Sequence, residues 1–91
     1  MNEIDLLELF YQEMRLQGKP HNQIFLSLTE ELIPYLQDNI DVGMTLEKLE
    51  KLADICIANE WLERTTADPH YNFLSLTPAG LQVVLAREYN R

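Results

Sequence analysis

Basic residues are scarce: seven lysines and arginines stand against fifteen acids over 91 residues, a formal charge of −8 at pH 7. Non-specific nucleic-acid binding relies on Lys and Arg displacing counterions from phosphate. A chain this acidic is repelled by a polyanion, or by an anionic membrane surface, unless its few bases share one face. Long apolar runs are missing too. Those present are short, such as "VVLA" at 83–86, where a bilayer span needs ~20 residues. The start, "MNEIDLLELF", has neither the basic opening nor the small-residue cleavage site of a secretory signal. Cysteine occurs once, as Cys56, which excludes an internal disulfide and fits a reducing cytoplasm, the expected compartment.

The residue types of catalysis are thin. His21 and His70 are far apart, and neither has a nearby Cys or His at ligand spacing, so no metal is expected. The three glycines form no phosphate-cradling loop and read as punctuation. Cys56 falls on an apolar helix face, where it reads as a small buried thiol rather than a nucleophile. Glu30-Glu31 reads as the charge preference of a helix start rather than an acid/base pair. Neither an enzyme nor a cofactor is expected.

What the chain does have is an ordinary globular apolar fraction, 46%, enough for one small domain over residues 1–91. Residues 3–17 read as a helix: at about 100° per residue, Ile4, Leu6, Leu7, Phe10, Tyr11 and Met14 share a stripe. Leu9 and Leu16 fall off that stripe, on a second side, so either the helix is buried on two sides or these leucines meet a second molecule. Gly18 and Pro20 end the helix. "IFLSL" (24–28) reads as a short strand or as the start of a helix; Ser27 and Glu30 have capping-box spacing, which favours a helix over 28–38 with Pro34 kinking its body. Thr45 is a suitable N-cap for a third helix, 45–59, whose apolar face is Leu46, Leu49, Leu52, Ala53, Cys56 and Ile57. "WLERTT" (61–66) and "NFLSLT" (72–77) read as strands of a hairpin with Asp68-Pro69 at its tip. Trp61, opening the first strand, reads as a lid on the core against the last helix. Thr77 followed by Pro78 starts that helix, 78–89.

The order of these elements, with "LEKLADICIANEWLER" (49–64) and "YNFLSLTPAG" (71–80), resembles a winged helix-turn-helix domain. The Leu-Thr-x-x-Gly at the end of the hairpin is similar to the closing motif of MarR-like and PadR-like regulators. The resemblance covers residues 45–81, and the first half by element order alone. It implies an α+β, mostly helical fold: three helices, a two-stranded β-wing and a C-terminal helix. It also implies that the third helix and the wing meet DNA and that flanking helices pair subunits.

The residues present depart from that function. With its apolar face inward, the third helix turns out Glu47, Glu50, Lys51, Asp54, Ile55 and Ala58, with Lys48 at the edge. No Arg, Asn or Gln sits at its centre to read a base. The wing, 65–72, carries Asp68, His70, Tyr71 and Asn72, with Arg64 at its base and neither Lys nor Arg at its tip. The expectation is therefore a protein-interaction or regulatory module whose acidic face, Glu47, Glu50 and Asp54, meets a basic protein surface, one version being mimicry of nucleic-acid charge. The alternative is a DNA-binding transcriptional regulator in which Lys48, Lys51, Arg64 and His70 contact phosphate. Leu9, Leu16 and Val83, apolar positions on second sides of the terminal helices, are the expected contacts of a homodimer or of docking to another protein.

Overall fold

The structure, a computed structural model, describes residues 1–90; Arg91 lies outside them. The described residues form four α-helices and a two-stranded antiparallel sheet, a mostly helical α+β domain. The first helix, α1 (Glu3–Gln17), starts at a reciprocal capping box in which Asn2 and Asp5 each bind the other's backbone N–H. It ends at Gly18, whose φ of 65° is the left-handed turn expected of glycine there. A 3-10 turn, His21–Gln23, then leads into extended chain that touches the sheet at one residue: Leu26 exchanges both backbone hydrogen bonds with Leu74.

The segment expected as one kinked helix from residue 28 is built differently. A 3-10 turn, Glu30–Leu32, precedes a short α2 (Ile33–Asn39). Pro34 sits in the first turn of α2, where its missing N–H would have had no partner, so nothing is kinked. Ser27 does not cap this segment; its Oγ accepts the N–H of Phe73 instead. A long-range partner won over the local pattern.

The second half follows the sequence more closely. Helix α3 (Leu46–Ala58) is capped by Thr45, whose side chain accepts from the N–H of Lys48. Strands β1 (Leu62–Arg64) and β2 (Leu74–Leu76) pair Leu62 with Leu76 and Arg64 with Leu74. They are shorter than the alternation implied, because residues 65–73 form a folded loop. Helix α4 (Pro78–Tyr89) begins as expected, with Thr77 as cap and Pro78 in the first turn.

The core gathers Leu6, Leu7 and Phe10 of α1, Leu49, Ala53 and Cys56 of α3, Leu62, Leu74 and Leu76 of the sheet, and Val84 of α4. Trp61 packs half-buried against it. Cys56 is fully buried, its thiol directed at the carbonyl of Glu3. Burial, with the negative charge of Glu3, pushes that thiol up to about 12, so it is inert near neutrality. Across the α1–α4 contact, Arg87 binds Asp5 at 2.7 Å and approaches Glu8 at 3.8 Å.

The end of α3 and the start of α4 are locked together. Glu60 adopts a left-handed φ of 61°. This lets the N–H of Glu60 reach the Ile57 carbonyl and that of Trp61 reach the Cys56 carbonyl, the bond pattern of a glycine-type helix stop made without glycine. The Thr77 hydroxyl donates to the Glu60 carbonyl and accepts from the N–H of Gly80, and the Thr77 N–H donates to the Trp61 carbonyl. Gly80 is therefore not punctuation. A Cβ there would lie 2.1 Å from the Trp61 carbonyl oxygen, so only glycine lets α4 approach the start of β1.

Two substitutions test this junction by urea unfolding. Gly80→Ala is expected to destabilise the fold by about 3 kcal/mol through overpacking against backbone. Glu60→Gly is expected to stabilise it by about 1 kcal/mol by removing a strained left-handed residue. A neutral result for Gly80→Ala would mean that α4 does not sit where described.

Candidate functional site

The outer face of α3 exists because its inner face is spent on the core. Leu49, Ala53 and Cys56 are buried, and the helical repeat then turns Glu47, Lys51, Asp54, Ile55 and Ala58 to the outside, with Glu50 half-buried. The loop after β1 folds back over part of this face. Tyr71 donates its hydroxyl to Asp54 at 2.8 Å. That carboxylate, taking the phenolic hydrogen bond, holds Tyr71 above the usual phenol range, with burial and the charge of Glu50 adding to it and Arg64 opposing. The guanidinium of Arg64 lies 5.4 Å from the centre of the Tyr71 ring and donates to the Pro69 carbonyl.

Asp68 organises the tip. One carboxylate oxygen accepts the N–H of His70 and the other the side-chain amide of Asn72. These two bonds, the backbone one the stronger, hold its carboxyl below the usual carboxylate range. The Thr66 hydroxyl accepts from the Asp68 N–H, and the Thr65 hydroxyl donates to the Phe73 carbonyl. Phe73 itself has a φ of 53°, rare for a bulky side chain and sustained by the bonds on both sides of it. The loop is an ordered structure pinned to α3.

Between this loop, α3 and the turn before α2 runs a surface groove of about 390 Å³. Leu28 and Leu46 contribute its apolar lining, and Glu30, Glu31, Glu50, His70 and Tyr71 its polar part. The expected acidic residues thus gain two neighbours, Glu30 and Glu31, that the sequence offered only as a helix start. Nothing local could have joined them to Glu50: the contact depends on how the 3-10 turn and the loop fold onto α3.

Three of the four bases expected to meet phosphate are engaged within the molecule. Lys48 donates to the Gly43 carbonyl at 3.0 Å, and Lys51 pairs with Glu47 at 3.5 Å along the helix. Both partners of that second pair are well exposed, so it is worth a few tenths of a kcal/mol at most. Arg64 is held by Pro69 and Tyr71, and His70 borders the groove.

The expected apolar contacts do not form one surface. Leu9 is 8% exposed and belongs to the core, Val83 packs half-buried against it, and Leu16, at 79%, stands out. Leu9 and Leu16 do line one cleft, between α1 and residues 26–35. Among the described residues no group of three or more His, Cys, Asp and Glu could hold a metal ion, and no helix is long and apolar enough to cross a membrane.

Compared with known families, curated proteins and solved structures, the chain matches none.

The Tyr71–Asp54 bond is the hinge pin of this site, and it has a spectroscopic signature. Replacing Asp54 with Asn is expected to lower the Tyr71 titration toward the ordinary phenol value, followed by NMR of the ring carbon bearing the hydroxyl. An unchanged Tyr71 would mean that the loop is not fastened to α3.

Proposed function

We propose that the chain is a small winged-helix module that binds another protein through the acidic outer side of α3 and does not read DNA. The fold part of the reading is supported by the element order. A helix, a single bridging residue at Leu26, two further helices, a hairpin and a last helix follow one another as in a winged helix. The closing Leu76-Thr77-x-x-Gly80 now has a physical reason at each of its polar and small positions.

The observation that carries the functional part is the state of the charges. Glu30, Glu31, Glu47, Glu50 and Asp54 cluster on and around α3. Lys48 and Arg64 are turned onto backbone carbonyls of the loops next to them. A DNA reader needs free cations to hold its helix against phosphate before any base can be recognised. Here the groove presents carboxylates over an apolar lining, which suits a partner with a Lys or Arg beside an apolar residue. Mimicry of nucleic-acid charge toward a nucleic-acid-binding protein is the sharper form of the same reading. A cytoplasmic setting belongs to it as well.

Fluorescence anisotropy with two labelled probes tests it. A random-sequence DNA duplex is expected not to bind as salt is lowered from the physiological range. A lysine- and arginine-rich peptide with interspersed leucines is expected to bind, more tightly at lower salt, and to lose at least about tenfold in affinity when Glu47, Glu50 and Asp54 are replaced with Lys. Duplex binding that steepens as salt falls and disappears in Lys48→Ala/Lys51→Ala would overturn the reading in favour of DNA.

A further inference from the structure

The cleft holding Leu9 and Leu16 has a second property that the acidic side of α3 does not share. It encloses about 320 Å³ between α1 and the chain around Leu26, and Leu26, Leu32 and Tyr35 complete its apolar lining. One wall is the outer edge of the sheet. Leu26 spends its N–H and its carbonyl on Leu74 of β2, and Leu28 donates to the Tyr71 carbonyl in the loop before it, so these two residues turn their backbone groups toward the hairpin. In extended chain the neighbouring backbone groups point the opposite way. By that alternation the N–H and carbonyl groups of Phe25 and Ser27 turn away from Leu74, and they have no partner among the described residues. Large apolar side chains ring this edge in the open: Phe25 is 48% and Tyr35 50% exposed.

We propose that this edge and cleft are a second docking site, and that its occupant is an extended segment of another protein that adds a strand along Phe25–Ser27. The unpaired backbone groups select an extended main chain, because a helix has no free N–H or carbonyl groups along its middle to offer them. The cleft takes one apolar side chain of that segment, and the residue two further along falls on the same side, over Phe25 or Tyr35. Glu13 is the charged side chain lining the cleft. In a chain of charge −8 it favours a Lys or Arg flanking the apolar anchor and disfavours an acidic segment. The shortness of the edge fits this use. One bridging residue is too little to template aggregation, yet it still offers two residues' worth of backbone bonds. The site shares no residue with the acidic side of α3, so either proposal stands if the other falls.

Selection of a linear random peptide library, displayed on phage, against the immobilised full-length chain tests the site. Enriched peptides are expected to carry apolar residues two apart, with Lys or Arg beside them. A synthetic copy of the most enriched peptide is then N-methylated at the alternate amides that would face the edge. The affinity is expected to fall at least about tenfold, a test of strand pairing that leaves the protein untouched. Leu16→Glu, at an exposed position that cannot unfold the core, is expected to lower it by a similar factor. Three outcomes overturn the proposal. No peptide is enriched; or the enriched peptides space their apolar residues three and four apart and tolerate N-methylation, which assigns the cleft to a helix. In the third, the chain sediments as a dimer that Leu16→Glu separates, which assigns the cleft to a second copy.

Discussion

One hydroxyl holds the two ends of the hairpin together. Thr77 donates it to the Glu60 carbonyl and takes the Gly80 N–H on it, while its own N–H fixes the Trp61 carbonyl. Those bonds join the chain just after α3 to the cap and first turn of α4, and they set Leu62 opposite Leu76 as the first rung of the sheet. Gly80 is part of the same constraint, because the helix can come this close only where no Cβ intervenes. Everything beyond the junction inherits its geometry. The angle at which the strands leave α3 brings Tyr71 back within hydrogen-bond distance of Asp54, although the two are 17 residues apart.

That dependence explains what could and could not be read from the chain. The apolar face of α3, the caps Thr45 and Thr77, and the burial of Cys56 are local matters of helical repeat and hydroxyl placement, and the structure has them where the pattern put them. The turn before α2 departs from the local pattern because Ser27 has two competing partners. A capping box with Glu30 was available locally, but the N–H of Phe73, brought up by the Leu26–Leu74 bridge, took its oxygen. Gly80 is marked in the sequence by its place in Leu-Thr-x-x-Gly, but the reason for it, another segment's carbonyl, lies outside its own neighbourhood. Leu9 was assigned to a second side by its helical angle. Yet the extended chain at Leu26 and the turn at Leu32 come up against that side and bury it.

The candidate site divides along the same line. Glu47, Glu50 and Asp54 were legible because they lie on one helix, at separations of three and four residues. Glu30, Glu31 and Tyr71 were not, since their approach to α3 depends on two loops folding onto it. The state of the bases was also hidden. The alternative reading puts Lys48 and Arg64 on phosphate; in the structure each has found a carbonyl within five residues along the chain. A base held in this way keeps its charge but not its reach, and reach is what a phosphate contact requires.

Charge alone would still make a poor binding site. Two exposed unit charges 4 Å apart gain only about 1 kcal/mol in water, and physiological salt screens them over ~8 Å. Acids spread over an open helix face would speed encounter with a basic partner without holding it. Glu50 differs from Glu47 and Asp54 in being half-buried beside Leu46 and Leu28, with the Tyr71 ring near by. A guanidinium or ammonium entering there lays its aliphatic stem on apolar surface while its head meets carboxylates in a partly dehydrated setting, where an ion pair is worth more. Within the proposed function, Glu47 and Asp54 therefore belong to the rate of association, and Glu50 with the groove beside it to the lifetime of the complex. The loop pinned by Tyr71 is what gives the groove its wall, which returns the origin of the site to the hydroxyl of Thr77.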